Sequence, residues 1–381
     1  MIAQFQFRAW LRVVPSSLLA FCLVGVETVR AEQEPATPKR NDAKQSTEPK
    51  PSAPSKAQGD AKQSAAKKQV AAQKQPAAQK QPAAQKQPPS RPAPTVADFA
   101  YAGESERQKF DFWQAKSDSP TPVVLLIHGG GWMGGDKTGY GTPAIKPYLD
   151  AGISVAAVNY RFIPQAMEHK VEPPVKACVT DAGRALQTIR SKSKEWNVDP
   201  RRIGATGTSA GACTSLWLAL HDDLADPKSA DPIARESTRL TCAAVSGAQT
   251  SLDSKELREW IPNSIYGGHA FGFQAKGRSR AEEFEHLIAN REKVLPWIKE
   301  YSPIELVTQD DPAIYLDYPN QKASPVLGQP EPDPTHSAIY GVKLAEKLQK
   351  AGVEAVLSYP GHKDEKYGSI SAFLIAKLKA D

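Results

Sequence analysis

Cysteine is scarce. Cys22 lies in an N-terminal apolar segment, which leaves only Cys178, Cys213 and Cys242, far apart in the chain. An odd, sparse set excludes a disulfide framework. The three are expected as small buried hydrophobes, with a single bridge among them as the alternative. Metal and cofactor signatures are also missing. There is no H-E-x-x-H, no cysteine pair at zinc spacing and no phosphate loop. The G-x-G fragments at Gly129–Gly131 and Gly204–Gly207 lack the third glycine and the downstream acid of a dinucleotide site. No metal and no cofactor are therefore expected. Long apolar runs are absent too: Val13 to Val26 is short for a membrane span. The charge excess is not where a nucleic-acid enzyme would carry it. The net charge of +6 divides into +2 over residues 1–31, +7 over residues 32–95 and −3 over residues 96–381. The body of the chain lacks a basic excess, and no nucleic-acid partner is expected.

What is present falls into three zones. Arg8 and Arg12, the apolar stretch after them and Val29-Arg30-Ala31 read as a secretory signal over residues 1–31. Export to the periplasm or beyond the cell is the expectation, or membrane anchoring if the segment is not cleaved. Residues 32–95 are rich in Ala, Gln, Lys and Pro, with Ala-Ala-Gln-Lys-Gln-Pro three times in succession over 71–88. Such a stretch cannot bury enough apolar area to offset its ordering entropy, so a disordered basic linker is expected. It serves as a spacer, or as a polycation touching an anionic envelope. Residues 96–381 are long enough for one large domain.

In that domain, apolar runs alternate with amphipathic stretches. Pro122–Ile127 is continuously apolar, as a strand buried on both faces must be. Strands are also expected at Phe99–Ala102, Lys109–Gln114, Ile153–Tyr160, Arg202–Thr206, Leu240–Ser246, Ala313–Tyr318 and Glu354–Tyr359. Helices are expected around residues 143–151, 173–192, 210–221, 336–351 and 364–380. Residues 251–300 interrupt the alternation with charged helical sequence and a Gly-rich break at Tyr266–Gly272, as a cap or lid insertion would. The fold class is α/β, with a mainly parallel, doubly wound sheet and a small cap.

Two glycine motifs sit at strand ends. Gly207-Thr208-Ser209-Ala210-Gly211 reads G-x-S-x-G between an expected strand and helix, the context of a nucleophile elbow. His128-Gly129-Gly130-Gly131-Trp132 follows the buried Pro122–Ile127 run. Its glycines leave backbone N–H groups open to a negative oxygen. With the N–H of Ala210, those of Gly130 and Gly131 are the candidate oxyanion hole. A serine nucleophile needs a base, and the base needs a carboxylate. His362, just past the last expected strand, is taken as the base, with His336 as its main rival. His221 and His286 lie in helical stretches and are expected on the surface, and His269 could at most line the pocket. Asp333 is taken as the acid, although Asp333-Pro334 also reads as a helix N-cap. Asp317 is the alternative acid, with Glu331 behind both. Asp181 is expected as a structural hydrogen-bonding group and Cys213 as core.

These motifs resemble the α/β-hydrolase fold, in its carboxylesterase and lipase-like members with an HGGGW oxyanion motif. Bacterial feruloyl/acetyl esterase-like and hormone-sensitive-lipase-like enzymes are the nearest match. Asn159-Tyr160-Arg161 with Pro164 and the segment Pro334–Gly352 add to the resemblance, which spans about residues 97–380. The C-terminal half departs from the pattern. A Pro-rich loop stands where a short H-G-x-x-D turn is usual, and Gly361 adjoins His362 where G-x-x-H is usual. The resemblance implies cleavage of a carboxylic ester through an acyl-enzyme on Ser209, without a cofactor. Export and the long spacer add an acylated polysaccharide or another small ester as substrate. A serine peptidase of the same fold, or an esterase-like binding protein tethered by its basic tail, are the alternatives.

Overall fold

A computed structural model describes residues 90–380. The expected signal segment lies outside them, as does the linker up to residue 89. The described chain begins with β1 (Val96–Ala100), β2 (Lys109–Trp113) and β3 (Thr121–Ile127), then α1 (Thr142–Asp150), β4 (Ser154–Val158), α2 (Ile163–Glu168) and α3 (Val175–Ser191). The elbow region follows as β5 (Val198–Thr208) and α4 (Ala210–Leu220), then β6 (Cys242–Ser246). Residues 251–300 contain α5 (Ser254–Trp260), a 3-10 turn at Gly268–Phe271, α6 (Arg280–Ala289) and most of α7 (Arg291–Tyr301). The chain then returns to the sheet with β7 (Ala313–Asp317), α8 (Ile339–Lys350), β8 (Ala355–Ser358) and α9 (Ile370–Leu378).

The strands form one sheet in the order β1-β2-β4-β3-β5-β6-β7-β8. The β1–β2 and β2–β4 pairs are antiparallel, and every pair from β4–β3 to β7–β8 is parallel. This is the α/β-hydrolase arrangement. Parallel strands need crossover helices, and those helices bury both faces of the sheet, which is why β3 is fully buried along its length. On one face, α3, α4 and α8 pack their apolar stripes against Val123, Leu125, Ile127, Ala205, Val245 and Leu316. On the other, α1 and α9 cover Val124, Leu126, Val155, Ala244 and Tyr315. The elbow helix α4 is apolar all round and buried at every position, as a central helix must be.

Several boundaries differ from the sequence reading. β5 begins at Val198 rather than Arg202, because Val198 already pairs with Thr121 before the register shifts at Asp199-Pro200. Helix α8 begins at Ile339, three residues later than expected, and α9 begins only at Ile370. The first shift leaves His336 in a loop, which bears directly on the site. The cysteines behave as small hydrophobes: Cys178, Cys213 and Cys242 are free and buried.

The antiparallel edge is fastened by a buried charge cluster. Asp111 on β2 is 1% exposed and accepts from Lys137 Nζ at 2.7 Å and Arg91 Nη1 at 2.8 Å. Without Asp111, buried Lys137 keeps only the mostly exposed Asp98, at 2.8 Å, as a carboxylate partner among the described residues. Asp111→Ala is expected to cost about 3 kcal/mol, measured as a shift of the urea midpoint at unchanged slope; a shift too small to measure would contradict this reading.

Candidate active site

Ser209 is held in a conformation that its own side chain disfavours. Ser209 has φ +55° and ψ −123°, outside the ordinary regions for a non-glycine residue. Its N–H donates to the Ser246 carbonyl at 3.0 Å, and its carbonyl accepts from Cys213 N at 2.9 Å, so both sides of the turn are tied down. The flanking glycines are steric requirements. A Cβ on Gly207 would lie 2.5 Å from the Ile127 carbonyl oxygen, and one on Gly211 would overlap that same oxygen outright. The elbow is therefore pressed directly onto the end of β3, where the His128–Trp132 run begins.

That run curls over the elbow. A Cβ on Gly129 would lie 2.5 Å from the Thr208 carbonyl oxygen. Gly130 (φ +104°) and Gly131 (φ +60°) occupy the left-handed region. The N–H groups of Gly130 and Gly131 have no acceptor among the described residues, and Ala210 N is the first helical N–H of α4. Trp132 is buried and donates through Nε1 to Thr214 Oγ1 at 3.0 Å, pinning the loop to α4. His128 works from beneath. Its Nδ1–H donates to the Gly129 carbonyl at 2.8 Å, and Nε2 faces Arg107 Nη2 at 3.3 Å. Its ring stacks on Tyr160, whose hydroxyl donates to the His128 carbonyl at 2.7 Å. Burial is the main force pushing the His128 pKa down to about 4, with Arg107 adding to it. His128 is thus a neutral brace for the glycine turn.

Ser209 meets a histidine, and it is His336. Ser209 Oγ and His336 Nε2 are 3.0 Å apart, and His336 Nδ1 is 2.9 Å from Asp333 Oδ2. Asp333 also accepts at Oδ1 from the N–H groups of Thr335 and His336, both at 3.3 Å. The Asp333-Pro334 signal does cap a turn, but the turn is the one carrying His336 and not the start of α8. Glycine recurs against the ring: a Cβ on Gly247 would lie 3.4 Å from His336 Cδ2. The loop is anchored by paired amides. Gln321 accepts from Ala338 N at 2.8 Å and donates to Glu331 Oε2 at 3.0 Å. Asn263 and the Glu331 backbone exchange two hydrogen bonds, at 2.8 and 3.0 Å.

Two expectations are corrected by this geometry. His362, taken as the base, lies elsewhere. It closes a tight turn on Tyr359 through two backbone hydrogen bonds of 3.0 and 2.8 Å, and its ring stacks on Tyr359. It lines a cavity with Val342, Glu346 and Asp364, away from the elbow. The chain folds back because Gly361 takes φ +92° immediately before it. Asp317, the alternative acid, ends β7 on the face covered by α1 and α9, and among the described residues it makes no hydrogen bond to a histidine. His336, named only as the rival base, had a signal in the sequence: Asp333-Pro-Thr-His336 places a carboxylate and an imidazole three residues apart around a proline turn. Asp181 is structural, as expected, accepting from Arg161 and Gln108.

His269 sits on the flank of the His128–Trp132 loop, in the 3-10 turn of the 251–300 segment. It is fully buried, its Nε2 faces Gly131, and neither ring nitrogen has a partner among the described residues. Burial, then Arg280, pushes its pKa down to about 3. It cannot charge while the segment stays packed.

The sequence is similar to known proteins over this region. A family model described as BD-FAE matches residues 111–321, more than half of the chain, and stops short of Asp333 and His336. The probable carboxylic ester hydrolase LipM of Mycobacterium tuberculosis is 28% identical over 151 residues, 38% of this chain and 32% of that protein. The carboxylesterase NlhH of the same species is 32% identical over 108 residues, 28% of this chain and 32% of that protein. The chain thus spans about a third of the length of these relatives. Among solved structures, a truncated carbohydrate esterase from gut microbiota matches with a TM-score of 0.55 at 18% identity, covering 77% of this chain and all of that one. That likeness is one of fold.

The two buried neutral imidazoles set an acid limit. Unfolded, His128 and His269 titrate near pH 6.5, whereas folded they stay neutral to about pH 4 and pH 3. The unfolded chain therefore binds more protons below pH 6.5, and stability falls as pH drops. Between pH 6.5 and 5, His269→Leu is expected to lower the slope of unfolding free energy against pH by about one proton, or about 1.4 kcal/mol per pH unit. Urea unfolding at several pH values measures it, and an unchanged slope would show that His269 is not held neutral.

Proposed function

This chain belongs to the BD-FAE family, and from that premise we propose that it is a serine carboxylic ester hydrolase. The observation that carries the reading is the unbroken chain from Ser209 Oγ through His336 to Asp333, with links of 3.0 and 2.9 Å.

In this reading, Ser209 Oγ attacks the ester carbonyl carbon while His336 Nε2 takes its proton. Asp333 holds the imidazole by Nδ1–H and stabilises the imidazolium. The carbonyl oxygen becomes an oxyanion, received by the N–H groups of Gly130, Gly131 and Ala210. Collapse of the tetrahedral intermediate expels the alkoxide, which takes the proton from His336 and leaves as alcohol. Water, deprotonated by His336, then attacks the acyl-Ser209 carbonyl, and a second collapse frees the acid and restores the hydroxyl. The acid and base share one four-residue turn, so a single loop sets the distance between them. The glycine turn is fixed before substrate arrives, so the donors need no reorganisation as charge develops.

Substrate and location belong to the same proposal. The similarity to a carbohydrate esterase in fold, together with the expected export segment at residues 1–31, fits an ester of extracellular or envelope carbohydrate. The basic stretch over residues 32–95 would hold the enzyme near anionic polymer, an attachment that added salt weakens.

Short-chain p-nitrophenyl esters test the chemistry. Ser209→Ala and His336→Ala are each expected to lower kcat by about 10⁴-fold or more, and Asp333→Asn by about 10³–10⁴-fold. His362→Ala is expected to stay within about twofold of the parent, as for a surface change away from the chemistry. Full activity in His336→Ala with loss in His362→Ala would overturn the assignment. Absence of hydrolysis across acyl lengths, with no labelling of Ser209 by a fluorophosphonate, would overturn the enzyme reading.

A further inference from the structure

The carboxyl ends of the parallel strands carry a second feature, on the sheet face away from α4. Register places Thr208, Ser246, Asp317 and Ser358 side by side across β5, β6, β7 and β8. In-register neighbours on parallel strands share a face, so the four form one polar row. The row two residues earlier is Leu126, Thr206, Ala244 and Tyr315. Ala244 contributes only a buried methyl group between Thr206 and Tyr315. Above both rows, between α1 and the first turn of α9, lies a cavity of about 380 Å³.

The cavity exists because of where the chain goes after β8. The Tyr359–His362 turn folds back on itself, and α9 begins only at Ile370. The strand ends are consequently not roofed over. Hydroxyl side chains line the opening: Thr206, Thr208, Ser358, Ser369 and Ser371. Asp317 is the one charged group lining it, half-buried and without an ion-pair partner among the described residues. Burial pushes its pKa up, against a hydrogen bond from Ser358 that pulls it down. Tyr140, Tyr148 and Tyr315 supply ring surface.

We propose that this cavity is a second binding site, separate from the Ser209 centre, for a pyranose-type ring polyol. Each hydroxyl of such a ring both donates and accepts, as each Ser and Thr hydroxyl of the lining does. Asp317 accepts from two neighbouring ring hydroxyls, and charge-assisted bonds of that kind are the stronger ones. The tyrosine rings meet the C–H face of the sugar. Ser369 caps α9 by accepting from Ala372 N at 3.2 Å, and an ammonium would also donate to Asp317 and to the remaining hydroxyl oxygens, so a cationic competitor separates the two ligand classes. The site is independent of the ester-hydrolase reading, since neither Ser209 nor His336 takes part. A free sugar and a sugar unit of a longer substrate chain present the same ring, and only the second would lower KM for its ester.

Ligand-observed NMR titration of the full chain with methyl β-D-glucopyranoside tests this, with tetramethylammonium as the cationic probe. Saturable binding of the glycoside is expected, weakened at least about tenfold in Asp317→Ala. Ala144→Trp, which fills the cavity from α1, is expected to remove binding while Ser209 still labels with a fluorophosphonate. That labelling reports an intact elbow in each variant, so loss of sugar binding and loss of the esterase reading are read separately. No saturable binding by the parent chain, binding unchanged in Ala144→Trp and Asp317→Ala, or displacement of the glycoside by tetramethylammonium would overturn the proposal.

Discussion

The closest constraint in this molecule is backbone against backbone. Gly207 and Gly211 let the elbow rest on the Ile127 carbonyl at the end of β3, and Gly129 lets the next loop rest on the Thr208 carbonyl. No side chain fits at any of the three positions. Because β3 and β5 are adjacent in the sheet, their ends are already in register, with Ile127 opposite Gly207. Ser209 and the glycine turn that faces it are therefore two consequences of one contact. Everything else in the site is arranged around that fixed pair: Trp132 pins the turn to α4, His128 and Tyr160 prop it from below, and His336 approaches across Gly247.

That contact also explains what could be read from sequence. A glycine at a position that admits no Cβ leaves a pattern in the chain, so both glycine motifs were legible and correctly placed at strand ends. The buried parallel strands were legible for the same reason: burial on both faces writes a continuous apolar run, as in Val123–Ile127. The long polar segment between β6 and β7 was legible as an interruption, though not in its packing against the oxyanion loop through His269.

The partner of Ser209 was not legible in the same way. The order serine, acid, histidine held, but the rule that the base follows the last strand did not. It selected His362 because sequence shows which strand a residue follows and not where a turn sends it. Pro360-Gly361 does signal a tight turn, and that turn carries His362 back onto Tyr359 rather than out to Ser209. Conversely, Asp333-Pro-Thr-His336 read as a helix start, since a carboxylate that caps backbone N–H groups looks the same whether a helix or a functional turn follows. Tertiary contacts through Gln321 and Asn263, 12 and 70 residues from Asp333, decide that the turn faces Ser209.

One preset geometry, glycine N–H groups on one side and the His336–Asp333 turn on the other, converges on Ser209. A crystal structure of the chain phosphonylated at Ser209 tests it most directly. The phosphonyl oxygen is expected within about 3 Å of the N–H groups of Gly130, Gly131 and Ala210, with His336 Nε2 the nearest imidazole nitrogen to the adduct. A phosphonyl oxygen turned away from those N–H groups, or His362 in place of His336 beside the adduct, would contradict it.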